Sequence, residues 1–312
     1  MFLHKKALYN LIQFNLQEPE APLKPWQQLD FRQLGTEILF QNLNQICSAV
    51  DSPKHFEEIA NTFESPEEMS EAFVKKAKPK EPDHFFLIIF ELWRRLLPEK
   101  RTVSTFCDEL DCQIMRHENA EECQQMQDTL EYFKQILDDN TDAGNNPLDV
   151  FNTLQSFCCN NLEAFLYDYI LEQIDEGEID YAGELLEDFY PYVPDPTWFD
   201  YLVARLEMVV ELEVGFKRLE SVIKKITDVD LAIEVLSYLS QIKNPHFEPL
   251  AKRTLKLLKA EEDFIEFLSC CAHYYESQEI QDLLETREEK ACGTPLDLKD
   301  PDFIAIKKII SL

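Results

Sequence analysis

Apolar residues recur along most of the chain at spacings of three and four positions, which is the period of an amphipathic helix rather than of a strand. The stretches "FRQLGTEILFQNLNQICSAV" and "SPEEMSEAFVKKA" both follow this period. In "HFFLIIFELWRRLL" the apolar positions cover nearly every side before the two arginines, which predicts a buried helix. The pattern therefore predicts an all-α protein.

Proline follows a small capping residue at many predicted helix starts. The missing N–H of proline suits the first helical turn, and the preceding Ser, Asn or Asp side chain can accept a hydrogen bond from a free backbone N–H there. Each such pair therefore predicts a helix start. The pairs are Ser52-Pro53, Ser65-Pro66, Asn146-Pro147, Asp195-Pro196, Asn244-Pro245 and Asp300-Pro301.

The prolines are also regularly spaced. Pro98, Pro147, Pro196 and Pro245 lie 49 residues apart, and Pro295 follows after 50. The three segments that begin at Pro147, Pro196 and Pro245 each contain three predicted helices. A period near 50 residues made of helices is typical of a stacked array, in which each unit buries its apolar face against its neighbours. An irregular multi-helix bundle with chance proline spacing is the alternative.

The predicted organisation is a helical-repeat, solenoid-like array or multi-helix bundle, preceded by a smaller N-terminal helical module. The charge density and the period both change near residue 97, which marks the boundary. The module covers 1–97 and the helical-repeat domain 98–312. The approximate units of the domain are 98–146, 147–195, 196–244 and 245–294, with a C-terminal helix at 300–312.

One stretch resembles a known family. In "EGEIDYAGELLEDFYPYVP", Gly177, Ala182, Leu186 and Pro194 stand at the offsets of the glycine, alanine, large apolar residue and terminal proline of a tetratricopeptide repeat. The stretch is similar to the second half of one repeat, and the following segments lack the pattern. The resemblance implies a solenoid built of helical pairs.

Charge narrows the range of partners. The net charge is −30, and residues 97–195 hold 24 acidic but only 4 basic residues. The negative electrostatic field of these residues repels phosphate groups, so we expect neither nucleic-acid binding nor adhesion to anionic membrane. A basic segment of another protein is the expected partner, with solubility alone as the alternative. The oligomeric state stays open.

The densest acidic stretch supplies the candidate binding site. We expect its acids to act electrostatically and two tyrosines to serve as apolar anchors. The residues are Glu172, Asp175, Glu176, Glu178, Asp180, Tyr181, Glu184, Glu187, Asp188 and Tyr190. The basic stripes around Lys217–Lys225 and Lys252–Lys259 are expected to compensate acids within the chain.

Candidate metal sites are incomplete. Asp138, Asn140, Asp142 and Asp149 match positions 1, 3, 5 and 12 of a calcium loop, but Ala143 stands where the turn needs glycine. A polar interhelical loop with Asn146 as helix cap explains the same residues.

The histidine and cysteine candidates are also partial. His117, Glu118 and Glu121 lack the second histidine of a zinc helix, Cys270 and His273 form half a site, and Cys107 and Cys112 do not converge on a helix. We therefore predict no metal or cofactor and name no catalytic residue.

The expected function is non-catalytic protein binding, as an adaptor, a scaffold or a chaperone-like regulatory subunit. The alternatives are a secretion-system effector or its chaperone, and an enzyme of unrecognised type. The six glycines and the absence of glycine-rich phosphate motifs argue against nucleotide folds. Lysines interrupt the apolar residues of "MFLHKKALYNLIQFNL", at residues 1–16, which predicts an amphipathic helix rather than a signal peptide. We therefore expect a cytoplasmic location, with the nine cysteines as reduced thiols.

Overall fold

The computed structural model describes residues 24–46, 50, 52–119, 125–287 and 294–311. These residues form a short 3₁₀ helix, Pro25–Gln28, and sixteen α-helices, without a β-sheet in the described ranges. The prediction of an all-α protein is confirmed. The helix predicted for residues 1–16, and Cys47, Cys123 and Cys292, lie outside the described residues.

The α-helices are numbered in chain order. They are α1 Thr36–Ile46, α2 Pro53–Ala60, α3 Pro66–Ala77, α4 Pro82–Leu96, α5 Val103–Glu118, α6 Met126–Asp142, α7 Pro147–Gln155, α8 Leu162–Glu176, α9 Ile179–Phe189, α10 Pro196–Val210, α11 Leu212–Lys225, α12 Val229–Gln241, α13 Phe247–Thr254, α14 Glu261–Tyr275, α15 Gln278–Arg287 and α16 Pro301–Ser311. None of these described helices is both long and apolar enough to cross a membrane.

The described chain divides into two compact units. The first comprises the residues up to Tyr169 together with Pro191–Pro194, and the second comprises Ile170–Tyr190 and the residues from Asp195 onward. These limits do not coincide with the change in charge density near residue 97. Each segment that begins at Pro147, Pro196 or Pro245 does contain three helices, as predicted. The domain boundary and the stacked repeat units stay predictions.

Most proline-marked helix starts are confirmed. Ser52, Ser65, Asn146 and Asp195 each accept a hydrogen bond from a backbone N–H of the following first turn. Asn244 is the exception, because α13 begins at Phe247 and its N-cap is His246. The Asn244 side chain accepts instead from the His246 N–H, at 2.9 Å, so Asn244 and Pro245 form a turn before the helix.

The first unit has its core around α4. Nine consecutive residues, Phe85–Trp93, are buried, which confirms the predicted burial of this helix. Glu91 is buried among them and bonds Arg94 and Arg95 on the next turn. The Arg95 guanidinium also donates to three backbone carbonyls of the segment before α1, including Leu34 O at 2.7 Å. A buried carboxylate needs such a partner, since an isolated charge in a core is strongly unfavourable.

The second unit is built on a helical hairpin and a buried ion-pair cluster. Helices α10 and α11 pack along each other and are joined by Glu211 alone. Helix α12 packs on α13 and α14, and α14 packs on α15. The fully buried Arg287, at the end of α15, bonds Glu261 at the start of α14, and it bonds Asp300 and Asp302 at the start of α16. One guanidinium therefore joins the ends of three helices.

Candidate functional site

The eight acidic residues predicted as a binding surface lie at the end of α8, on α9 and in the link between them, within the second unit. Seven of them are exposed, and Asp188 is half-buried. They are Glu172, Asp175 and Glu176 at the end of α8, Glu178 in the link, and Asp180, Glu184, Glu187 and Asp188 on α9. These carboxylates therefore share one helix–link–helix segment.

The local sequence fixes this arrangement. Gly177 has a φ of 87°, a left-handed conformation that glycine adopts without strain. The Glu178 N–H donates to the Gln173 carbonyl at 2.9 Å, which is the bond of a glycine-type helix end. On α9, Ala182, Leu185 and Leu186 are buried on one face, so the acids between them point toward solvent.

Arg205 of α10 holds the end of α8. It is the first lysine or arginine after Lys134 in the sequence. Its Nη2 donates to Asp175 Oδ1 at 2.5 Å, and its guanidinium carbon lies 3.9 Å from the centre of the Tyr238 ring. A guanidinium stacked on an aromatic face and bonded to a carboxylate is well placed to fix a helix end. Asp175 is thus compensated within the unit.

Five other acids of this surface have no cationic partner in the part of the chain that the structure describes. Within the described ranges, none of these five carboxylates forms an ion pair with a lysine, arginine or histidine. The residues are Glu176, Glu178, Asp180, Glu184 and Glu187. All five are exposed. The surface therefore carries a net negative field that no cation of the described chain neutralises at contact distance.

The two candidate tyrosines have different surroundings. Tyr190 is 36% exposed, and its hydroxyl donates to Asp200 Oδ1 at 2.9 Å. Asp200 also accepts from Lys225 at 2.9 Å, and burial together with the bond to Asp200 raises the pKa of Tyr190. Tyr181 is half-buried. Tyr190 is therefore the more accessible of the two rings.

The calcium-loop hypothesis is contradicted by the backbone. Asp138, Asn140 and Asp142 lie inside α6, whereas ligands at positions 1, 3 and 5 need an extended loop. The Asp138 carboxylate bonds Lys134 and also accepts from the Tyr192 hydroxyl at 2.6 Å. These bonds hold the pKa of Asp138 below its usual range. Asn146 caps α7, as the alternative interpretation predicted.

The histidine and cysteine candidates have packing roles. The His117 ring contacts Phe165 and Tyr169 edge-on, and Glu121 lies outside the described residues. Burial raises the pKa of Cys270 to about 12, and its thiol donates to the Ile233 carbonyl at 3.8 Å. Cys107 is buried and donates to the Leu154 carbonyl at 3.7 Å. In the part of the chain that the structure describes, no three metal-ligating side chains converge.

The first unit contains an open cleft of about 430 Å³. Its cations already have partners: Arg94 bonds Glu91, Lys100 bonds backbone carbonyls after α2, and Arg101 stacks on the Tyr132 ring. Buried Asp108, whose pKa burial raises to about 6, bonds Arg32 instead of facing the cleft. The lining residues are Trp93, Arg94, Leu97, Pro98, Lys100, Arg101, Thr105, Phe106, Glu109, Gln125, Asp128, Thr129 and Tyr132.

Sequence reasoning missed one surface feature. Val209, Val210, Leu212 and Val214, at the junction of α10 and α11, are all exposed. The signal was present in "MVVELEV", where apolar residues occupy too many successive positions for one helix face to bury. Glu211, the one residue between the two helices, could not be recognised as a helix break because glutamate is common within helices.

No protein-family model, curated protein or solved structure matches this chain. Ala182 and Leu186, which carry the tetratricopeptide resemblance, are both buried in α9, and Gly177 ends α8. The resemblance is thus limited to this helix pair. The function has to be inferred from the surface itself.

Proposed function

We propose that this protein is a non-catalytic protein-binding protein of the cytoplasm, and that the acidic surface on α8 and α9 binds a basic segment of another protein. One observation carries the proposal. Five exposed carboxylates, on residues Glu176 to Glu187, share one helix–link–helix segment and have no cationic partner in the described chain.

Physical reasons favour a protein partner. Clustered like charges raise the local concentration of a basic ligand and speed its encounter, at a cost in self-repulsion within the folded chain. The acids are exposed on two helices and their link, so the surface suits an extended segment more than a small molecule. A phosphate-bearing partner would be repelled by the same field.

The test uses the full chain and a synthetic amphipathic helix of lysine and leucine, named the Lys/Leu peptide. The acid-neutralised variant replaces the five acids by their amides: Glu176→Gln, Glu178→Gln, Asp180→Asn, Glu184→Gln and Glu187→Gln. The control variant replaces five exposed acids of the first unit: Glu58→Gln, Glu64→Gln, Glu99→Gln, Glu131→Gln and Asp139→Asn. Both variants lose the same charge, so only position differs.

We expect the acid-neutralised variant to bind the Lys/Leu peptide about tenfold more weakly than the control variant, measured by fluorescence anisotropy. Five exposed charge contacts of a few tenths of a kcal/mol each give this size of change. Equal affinities of the two variants would show that the α8–α9 surface is not the binding site, and would refute the proposal.

A further inference from the structure

The junction of α10 and α11 exposes a continuous apolar surface. Every residue from Val209 to Val214 is exposed, and four of these six are large and apolar. The exposed fractions are 58% for Val209, 75% for Val210, 57% for Leu212 and 39% for Val214. These six residues are named the hairpin tip. Isolated exposed apolar residues need no explanation, but a contiguous group marks an interaction surface.

The short link between the two helices accounts for the position of the hairpin tip. Glu211 alone joins the two helices, with an extended φ of −145° and ψ of 98°. Met208 and Gly215 lie in direct contact just inside the junction. The six residues between them therefore lie beyond the point where the two helices meet, and all six are exposed.

The charges of the hairpin tip indicate what covers it. Glu211 and Glu213 alternate with the apolar residues, are exposed and form no ion pair within the described ranges. Among the nearby cations of α11, Arg218 bonds Glu207 at 2.7 Å, and Lys217 lies three residues beyond Val214. A second copy of this chain would set Glu211 and Glu213 against the same carboxylates, which is unfavourable. A surface of anionic lipid would be repelled in the same way.

The hairpin tip lies on the same helix, α10, that bonds the acidic end of α8. Arg205 fixes the end of α8 to α10 through its bond with Asp175 at 2.5 Å. Val210 follows five residues later, about 7.5 Å further along the helix axis at 1.5 Å per residue. The acidic end of α8 therefore lies beside the last turns of α10, close to the hairpin tip.

We infer that the hairpin tip is the apolar docking site for the partner: a segment in which large apolar side chains alternate with lysine or arginine. The apolar side chains pack on Val209, Val210, Leu212 and Val214, while the cations pair with Glu211 and Glu213. The inference rests on the proposed function, because it names a second contact for the same basic partner. It adds that apolar burial at the hairpin tip, and not charge alone, sets the affinity.

The test compares two double variants of the full chain. The tip variant is Val210→Ser with Leu212→Ser. The matched control is Leu298→Ser with Ile304→Ser, which removes apolar residues that are 58% and 41% exposed elsewhere in the second unit. The probes are the Lys/Leu peptide, a Lys/Ser peptide of equal charge, and a Glu/Leu peptide of opposite charge.

We expect the tip variant to bind the Lys/Leu peptide about tenfold more weakly than the wild type and the control, and to bind the Lys/Ser peptide as the wild type does. The Glu/Leu peptide should bind the wild type at least about tenfold more weakly than the Lys/Leu peptide. An unchanged affinity of the tip variant for the Lys/Leu peptide would overturn the inference.

Two further outcomes separate the causes of failure. If the tip variant binds normally while the acid-neutralised variant loses affinity, the docking site is wrong and the proposed function stands. If sedimentation shows a wild-type dimer that the tip variant abolishes, the hairpin tip binds a second copy and the inference is overturned. Normal folding of the tip variant, checked by circular dichroism, is expected because both side chains are exposed.

Discussion

Gly215 of α11 packs directly against the backbone of Met208 in α10. A Cβ atom built on Gly215 would lie 2.7 Å from the Met208 Cα and closer still to its N and Cγ atoms. Real Cβ atoms do not approach so closely, so glycine is required here by the approach of the two helices, not by its backbone conformation. This contact closes the hairpin and leaves the hairpin tip exposed beyond it.

The first prediction concerns this contact. Gly215→Ala should lower the free energy of unfolding by about 3 kcal/mol, because the added methyl group forces the two helices apart. Urea unfolding followed by circular dichroism measures the change. Gly183→Ala in α9 is the control, since its nearest neighbour, Leu206 Cδ2, lies at 3.7 Å. That variant should be as stable as the wild type or up to about 1 kcal/mol more stable, because alanine favours a helix over glycine. Equal losses in the two variants would contradict the account.

The second prediction concerns the buried cluster around Arg287. Arg287→Met should lower the free energy of unfolding by about 3–5 kcal/mol, because it leaves the buried Glu261 carboxylate without a counter-charge. Adding Glu261→Gln to the same variant should recover part of the loss. A double variant less stable than Arg287→Met alone would show that Glu261 is stabilised by other groups.

The third prediction concerns pH. Burial raises the pKa of Asp108 to about 6, although Arg32 opposes the shift. The folded state then binds a proton more tightly than the unfolded state, so stability falls as pH rises from about 4 to about 6, by up to about 3 kcal/mol for this group. Asp108→Asn should remove this fall, measured as the difference between the unfolding curves of variant and wild type across that range. A constant difference would contradict the raised pKa.

The fourth prediction concerns Asn146. Its side chain accepts hydrogen bonds from the Leu148 and Asp149 N–H groups, so Asn146→Ala should lower stability by about 1 kcal/mol. Calcium should leave the melting temperature unchanged in both proteins, because Asp138, Asn140 and Asp142 are held in α6. A calcium-dependent rise in melting temperature would show that the end of α6 unwinds around the ion.

The sequence predicted local structure well, because helix starts depend on neighbouring residues. Ser65 and Asn146 cap helices at the starts that the Ser-Pro and Asn-Pro pairs predicted. The apolar run of α4 is buried, also as predicted. The predicted helix start at Asn244 was wrong. Lys243 adopts a left-handed conformation after α12, and a turn follows, so that α13 begins only at Phe247. Tertiary context decided that boundary.

The candidate site was predictable only in part. The acids of α8 and α9 could be identified from their density, and their exposure follows from the apolar face of α9. The ion pair of Asp175 could not be predicted, because its partner Arg205 lies thirty residues away in sequence. The hairpin tip was not predicted either, because its exposure depends on how α10 and α11 meet at Met208 and Gly215.

The salt dependence of Lys/Leu peptide binding tests the central claim most directly. Contacts between exposed charges weaken as the Debye length shortens from about 30 Å at 0.01 M salt to about 10 Å at 0.1 M. We predict that affinity for the wild type and the control variant falls steeply over this range, and that the acid-neutralised variant shows a much shallower slope. The same slope for all three proteins would contradict an acidic binding surface on α8 and α9.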